Sequence, residues 1–156
     1  MNKVIKFILL AAATVVILIP TFVIAFQLVR TAPEVYMGEE DVSPAYVTWS
    51  VTNRRGEEVV TSISEKRAER KFNRADKITL LDISQVQNLT FSREYVGCVV
   101  SVYTQSELLY QNVRFEEFKN ADITITEPVQ VMVVVLWQIS DGVQVKAAYS
   151  FEVNPA

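Results

Sequence analysis

Residues 129–153 read VQVMVVVLWQISDGVQVKAAYSFEV, and this stretch decides the fold. Val129, Val131, Val133, Val135, Trp137 and Ile139 alternate along one run, and Val143, Val145, Ala147, Tyr149, Phe151 and Val153 alternate along the next. A period of two is the signature of a strand with one buried face. Ser140-Asp141-Gly142 between the runs supplies a turn, with Gly where a positive φ is needed. The stretch is therefore a long β-hairpin. The opposite face of the first strand is also apolar (Met132, Val134, Leu136), whereas that of the second carries Gln144, Lys146, Ser150 and Glu152. On that contrast the first strand is expected to be central and the second nearer an edge.

Working back towards the N-terminus, short β-prone runs continue. Ile78 to Ile83, Tyr95 to Thr104, Leu108 to Phe115 and Asp122 to Thr126 are separated by polar breaks, the pattern of a sandwich rather than of alternating strands and helices. Tyr46 to Asn53 reads as a strand with Val47, Trp49 and Val51 on one face, and Glu58 to Ile63 is its expected partner beyond Arg55-Gly56. Charges dominate Ser64 to Arg74, which reads as a short helix or an ordered excursion. Glu34 to Pro44 is acidic and turn-prone. The expected organisation is thus an anchor at residues 1–30, a tether at 31–44 and an all-β, immunoglobulin-like sandwich at 45–156.

The anchor follows from Phe7 to Val29, 23 residues whose only polar side chains are Thr14, Thr21 and Gln27. As a helix rising about 1.5 Å per residue this run spans roughly 35 Å, enough to cross a hydrocarbon core of about 30 Å once. Lys3 and Lys6 precede it, while Glu34, Glu39, Glu40 and Asp41 follow Arg30, so the positive flank keeps the N-terminus cytoplasmic and the rest lumenal or extracytoplasmic. The alternative is a cleaved signal peptide with Pro20 as its breaker and Val23-Ile24-Ala25 as its cleavage site. Against that alternative, the apolar run continues through Phe26, Leu28 and Val29.

Composition limits the chemistry. The 156 residues include no His and one Cys, which excludes His-dependent triads, imidazole metal sites and an internal disulfide. A net charge of −3 argues against a general nucleic-acid binder. No cofactor fingerprint is present. Residues 54–77 hold eight Lys or Arg against five Asp or Glu, whereas residues 78–156 hold four against nine. The basic segment reads as a solvated helix face of mixed charge, with a patch for lipid head groups or an acidic partner as the other reading.

Three groups of residues invite a chemical role, and each has a plainer reading. Ser64 and Lys66 would form a Ser-Lys pair only if the Lys were desolvated, and it sits in a charge-rich run. Glu116 and Glu117 are adjacent at an expected strand end, where neighbours point to opposite faces. Cys98, between Val96 and Val100, reads as a buried core thiol. Asn88-Leu89-Thr90 is a glycosylation sequon, which makes Asn88 a candidate modification site in a lumenal domain. No catalytic, cofactor-binding or metal-ligating residue is assigned, and the chain is expected not to be an enzyme.

Leu81-Asp82-Ile83 leads to Leu89-Thr90-Phe91, a strand Val96 to Val102 ends in Tyr103, and Gln111-Asn112-Val113-Arg114-Phe115-Glu116 follows. This order of local elements resembles accessory subunit 3 of the eukaryotic signal peptidase complex. Val133-Val134-Val135-Leu136-Trp137 resembles the family's aliphatic-Ser-Trp strand, and Phe151 to Pro155 its Val-containing, Pro-ended finish. The likeness covers the membrane segment and residues 78–156. It departs from the family at Phe91-Ser92-Arg93 and Phe115-Glu116, where Asn-Trp-Asn and Trp-Asp pairs are usual, and in a longer first half of the soluble domain and a shorter stretch between Phe118 and Val129. The resemblance implies a non-catalytic subunit of the endoplasmic reticulum membrane whose partners include a membrane-bound Ser protease. An envelope binding module of a prokaryotic secretion or surface assembly is the alternative.

Overall fold

The computed structural model describes residues 32–104 and 107–155. The expected membrane segment lies outside the described residues, and among those described no helix is long and apolar enough to cross a membrane. Residues 32–156 form one compact unit.

The described residues are mainly β, in two sheets. The larger contains β3 (Tyr46–Thr52), β4 (Glu58–Thr61), β5 (Ile78–Leu80), β7 (Gly97–Tyr103), β8 (Leu108–Arg114), β9 (Val129–Ser140) and β10 (Val143–Val153). Its order is β4-β3-β10-β9-β7-β8, and β5 runs parallel to the end of β10 while the other neighbours are antiparallel. The smaller sheet joins β1 (Val35–Met37), β2 (Glu40–Asp41) and β6 (Thr90–Phe91) in the order β2-β1-β6. Three helices accompany them: α1 (Glu65–Arg74), α2 (Ser84–Gln87) and α3 (Phe115–Lys119).

The β9–β10 hairpin is the spine of the larger sheet. Val145 faces Trp137, Ala147 faces Val135, Tyr149 faces Val133 and Phe151 faces Val131, so the two alternating apolar sets fall on one face. β7 extends that face through Cys98, Val100 and Val102, β3 adds Trp49, and β5 brings Leu80 beside Val153. All these side chains are buried. Gly142 takes φ +73°, and a Cβ there would stand 2.5 Å from the Thr52 carbonyl oxygen. Close approach of β3 as well as turn geometry therefore demands glycine.

Helix α3 exists because Phe115 and Phe118, three residues apart, are both buried on one side of a short turn. Helix α2 is joined to its end by Gln87, whose side-chain amide donates to the carbonyls of Phe118 (2.9 Å) and Ala121 (2.8 Å). The Trp137 indole N–H donates to the Arg93 carbonyl at 3.3 Å, so the segment just past β6 runs over the buried face. Helix α1 lies by the other face, where Phe72 meets the edge of Tyr46 with ring centroids 6.4 Å apart.

Four expectations change. β10 is central, flanked by β9 on one side and by β3 and β5 on the other. Its polar alternate residues report a partly solvated face, which is a different property from a free edge. Residues 122–126 alternate in exposure but form no strand, because both sides of the neighbouring β9 are already taken by β7 and β10. Glu116 and Glu117 belong to helix α3, not to a strand end. The segment expected as a tether contains β1 and β2, and Val35 and Val42 within it are buried.

Candidate functional site

The structure separates the residues that invited a chemical role. Ser64 is the N-cap of α1 with extended backbone (φ −72°, ψ 152°), and its side chain makes no capping hydrogen bond. Lys66 is exposed, two residues further on, where helix positions do not share a face. The pair is not assembled. Glu116 accepts a hydrogen bond from the Tyr95 hydroxyl at 2.6 Å, while Glu117 is simply exposed. Burial and that carboxylate together push the Tyr95 phenol up.

Cys98 is buried on β7 against Val135 of β9. Burial first, and then the charge of Glu116, push its thiol up to about 12. A protonated thiol is a poor nucleophile and a poor metal ligand. Val96, expected on the same apolar face, precedes the strand and is exposed. Asn88 is exposed at the C-terminal cap of α2, with buried Leu89 and exposed Thr90 after it, so the sequon is presented to solvent. Among the described residues no group of three or more His, Cys, Asp or Glu is placed to hold a metal ion.

What the structure presents is surface. The two ends of the larger sheet are β4 and β8. Val59 and Val60 of β4 are 62% and 43% exposed, and Leu108 and Leu109 of β8 are each 41% exposed. Both edge strands therefore combine backbone groups outside the ladder with apolar side chains in solvent, the combination that pairs with another chain. β8 also carries a bulge: Val100 pairs with Val113 but Val102 with Tyr110. Asn112 adopts φ 51° there, and its N–H donates to buried Ser101 Oγ at 3.0 Å. Asn is among the few residues that take this conformation readily, the one hint of a bulge in the sequence.

A cleft of about 740 Å³ lies between α1 and the outer face of the sheet, lined by Tyr46, Thr48, Ser50, Phe72, Met132 and Lys146 among others. Sequence reasoning missed it because its lining comes from five separate elements, β3, β4, α1, β9 and β10. No family model, curated protein or solved structure matches this chain.

Proposed function

We propose that the chain is a non-catalytic accessory subunit of a membrane complex, anchored through residues 7–29, whose β-domain holds neighbouring subunits. The resemblance to signal peptidase complex subunit 3 directs the proposal to the lumen of the endoplasmic reticulum, where another subunit would carry the Ser nucleophile. The observation that carries it is the pair of open sheet edges with exposed Val59, Val60, Leu108 and Leu109. Strand addition at such an edge draws affinity from main-chain hydrogen bonds and specificity from alternate side chains. The finer reading of the fold as an immunoglobulin-like sandwich belongs to the same proposal. Its support is the position of Arg93, just past β6, over the buried face of the larger sheet.

Gentle detergent extraction of the full chain tests the proposal. A membrane-bound Ser protease should co-purify, depletion should leave uncleaved presecretory proteins, and Leu109→Lys or Val59→Lys should weaken co-purification without lowering the melting temperature. Asn88 should carry a glycan removed by a glycosidase and lost in Asn88→Gln. Peptide cleavage by the purified chain alone, or unaffected processing after depletion, would overturn the assignment. In the second case an independent envelope binding module would be the better account of the same edges.

A further inference from the structure

Helix α1 has two chemically opposite sides. Ala68 is buried, and Phe72 reaches Tyr46 of β3, so these two turn towards the sheet. Arg67 stands three and four residues before Arg70 and Lys71, and Arg74 stands four and three residues after them, the spacings that form a stripe along a helix, and all four are exposed. Together with Ala45 and Ala75 they line a depression of about 480 Å³. Arg70 donates through Nε to the Lys66 carbonyl at 3.2 Å. Among the described residues no carboxylate pairs with any of the four. Four cations thus surround one hollow without a counter-charge from the described fold, in a chain whose net charge is −3.

The position of the hollow along the chain suggests its occupant. The apolar run ends at Val29 and the compact unit begins at Ala32. From Ala32 the route to the hollow is short. Three residues lead to Val35, the Val42 N–H donates to the Val35 carbonyl at 2.8 Å, and three more residues lead to Ala45 in the lining. At the maximum extension of the chain that route is no longer than roughly 27 Å. A domain attached to a bilayer at Ala32 therefore keeps this cationic hollow, unpaired among the described residues, within reach of the head groups.

We infer that the Arg67, Arg70, Lys71 and Arg74 face of α1 is a docking surface for anionic lipid head groups of the leaflet from which the domain emerges. The inference rests on the anchored reading of residues 7–29. Guanidinium groups match phosphate oxygens in pairs, and three of the four cations are Arg. Docking would fix the domain's orientation and leave the β4 and β8 edges to meet partners alongside the membrane.

The test uses the full chain in nanodiscs of phosphatidylcholine, with or without phosphatidylglycerol. A fluorophore on Asn73→Cys, exposed on α1, reports quenching by a head-group-linked quencher; buried Cys98 does not compete for the label. Quenching should be stronger in the anionic discs and relieved by salt. The docked-to-undocked ratio should fall roughly fivefold for each of Arg70→Gln and Arg74→Gln, since each cation near an anionic surface contributes about that factor. Gln and Arg have similar helix propensities, so α1 should persist in both variants. Equal quenching in the two lipids overturns the inference, as does no response to either substitution. Binding of oligoglutamate to the same face without a lipid response would assign it to an acidic protein instead. Liposome flotation reads the anchor separately. A chain recovered on anionic but not neutral liposomes supports the cationic face and sinks the anchor. A chain recovered on both, without lipid-dependent quenching, keeps the anchor and sinks the face.

Discussion

Three residues carry most of the site-specific constraint. Gly142 combines positive φ with a 2.5 Å approach to the Thr52 carbonyl, so Gly142→Ala should cost about 1 to 3 kcal/mol from backbone strain alone, read as a lower midpoint in urea. Asn112 differs because its side chain is exposed, with a long 3.4 Å contact in which Oδ1 accepts from Ser101 Oγ, and its conformation is the point. Asn112→Gly should stay within about 0.5 kcal/mol of wild type, whereas Asn112→Val should lose about 1 to 2 kcal/mol, the cost of a left-handed conformation for a branched residue. Cys98 sets a pH window. An unfolded thiol ionises near about 8.5, while the folded one is held up to about 12, so the unfolded state releases its proton first as pH rises. The contribution of Cys98 is therefore complete below about pH 8.5 and is lost between there and about pH 12, at a slope of up to about 1.4 kcal/mol per pH unit. The Tyr149 phenol, also raised chiefly by burial, acts in the same direction, so the measurement is a difference. Cys98→Val should flatten the alkaline fall in melting temperature relative to wild type. Parallel curves for the two proteins would show that the thiol is not held protonated.

Among the elements, the hairpin and α1 are opposites in how firmly they are held. Trp137 is fully buried towards the hairpin end of β9, and Trp137→Ala should destabilise the fold by about 3 to 5 kcal/mol, the transfer and cavity terms adding. Helix α1 meets the sheet mainly through Ala68 and Phe72, and its N-cap makes no side-chain bond. Phe72→Ala should therefore make Lys66, Arg67 and Arg70 rapid tryptic sites while the melt of the sheet moves little; unchanged cleavage would mean that other contacts hold the helix. The same contrast explains what was legible in the sequence. The hairpin could be read because period-two burial and a glycine turn are both local signals, and β3 with β4 followed for the same reason, Gly56 taking φ 81° between them. The place of β10 could not be read, since hydrogen bonding to β3 and β5 joins residues far apart in the chain and leaves no mark on the alternation. Helix α3 was hidden because a single turn offers one spacing, Phe115 to Phe118, too little to establish a period. The candidate chemical residues were separable in advance for Cys98, whose neighbours are apolar. The cationic hollow was visible as charge but not as a hollow, because Ala45 comes to it from another element.

For the molecule as a whole, the decisive question is where the fold begins. Composition sets the boundary near Ala45, since residues 34–44 are acidic and rich in turn formers. The structure moves it back to Ala32. Val35 and Val42 are buried, β1 pairs with β6 through Val35 opposite Phe91, and the Ser92 N–H donates to the Glu34 carbonyl at 3.0 Å. Turn residues misled because Val35-Tyr36-Met37 is a short apolar run and Val42 stands alone between Asp41 and Ser43, so a segment average hides them. Removing residues 32–44 would uncover the apolar surface beneath both valines and leave β6 without its ladder partner. Burial of each Val is worth about 1.5 to 3 kcal/mol, so the pair accounts for a large part of the 5 to 15 kcal/mol that holds a typical domain together. A fragment of residues 32–156 should therefore melt cooperatively, whereas one of residues 45–156 should melt at least about 10 °C lower or fail to fold, given that 1 kcal/mol moves the midpoint by roughly 4 °C at this size. In the full chain, Val35→Ala should lower the midpoint in the same direction by a smaller amount, and Glu39→Ala, in the exposed turn between β1 and β2, should not. If the two fragments melt together and Val35→Ala is silent, residues 31–44 are a tether after all, and the short route from Ala32 to the cationic hollow no longer restrains the domain.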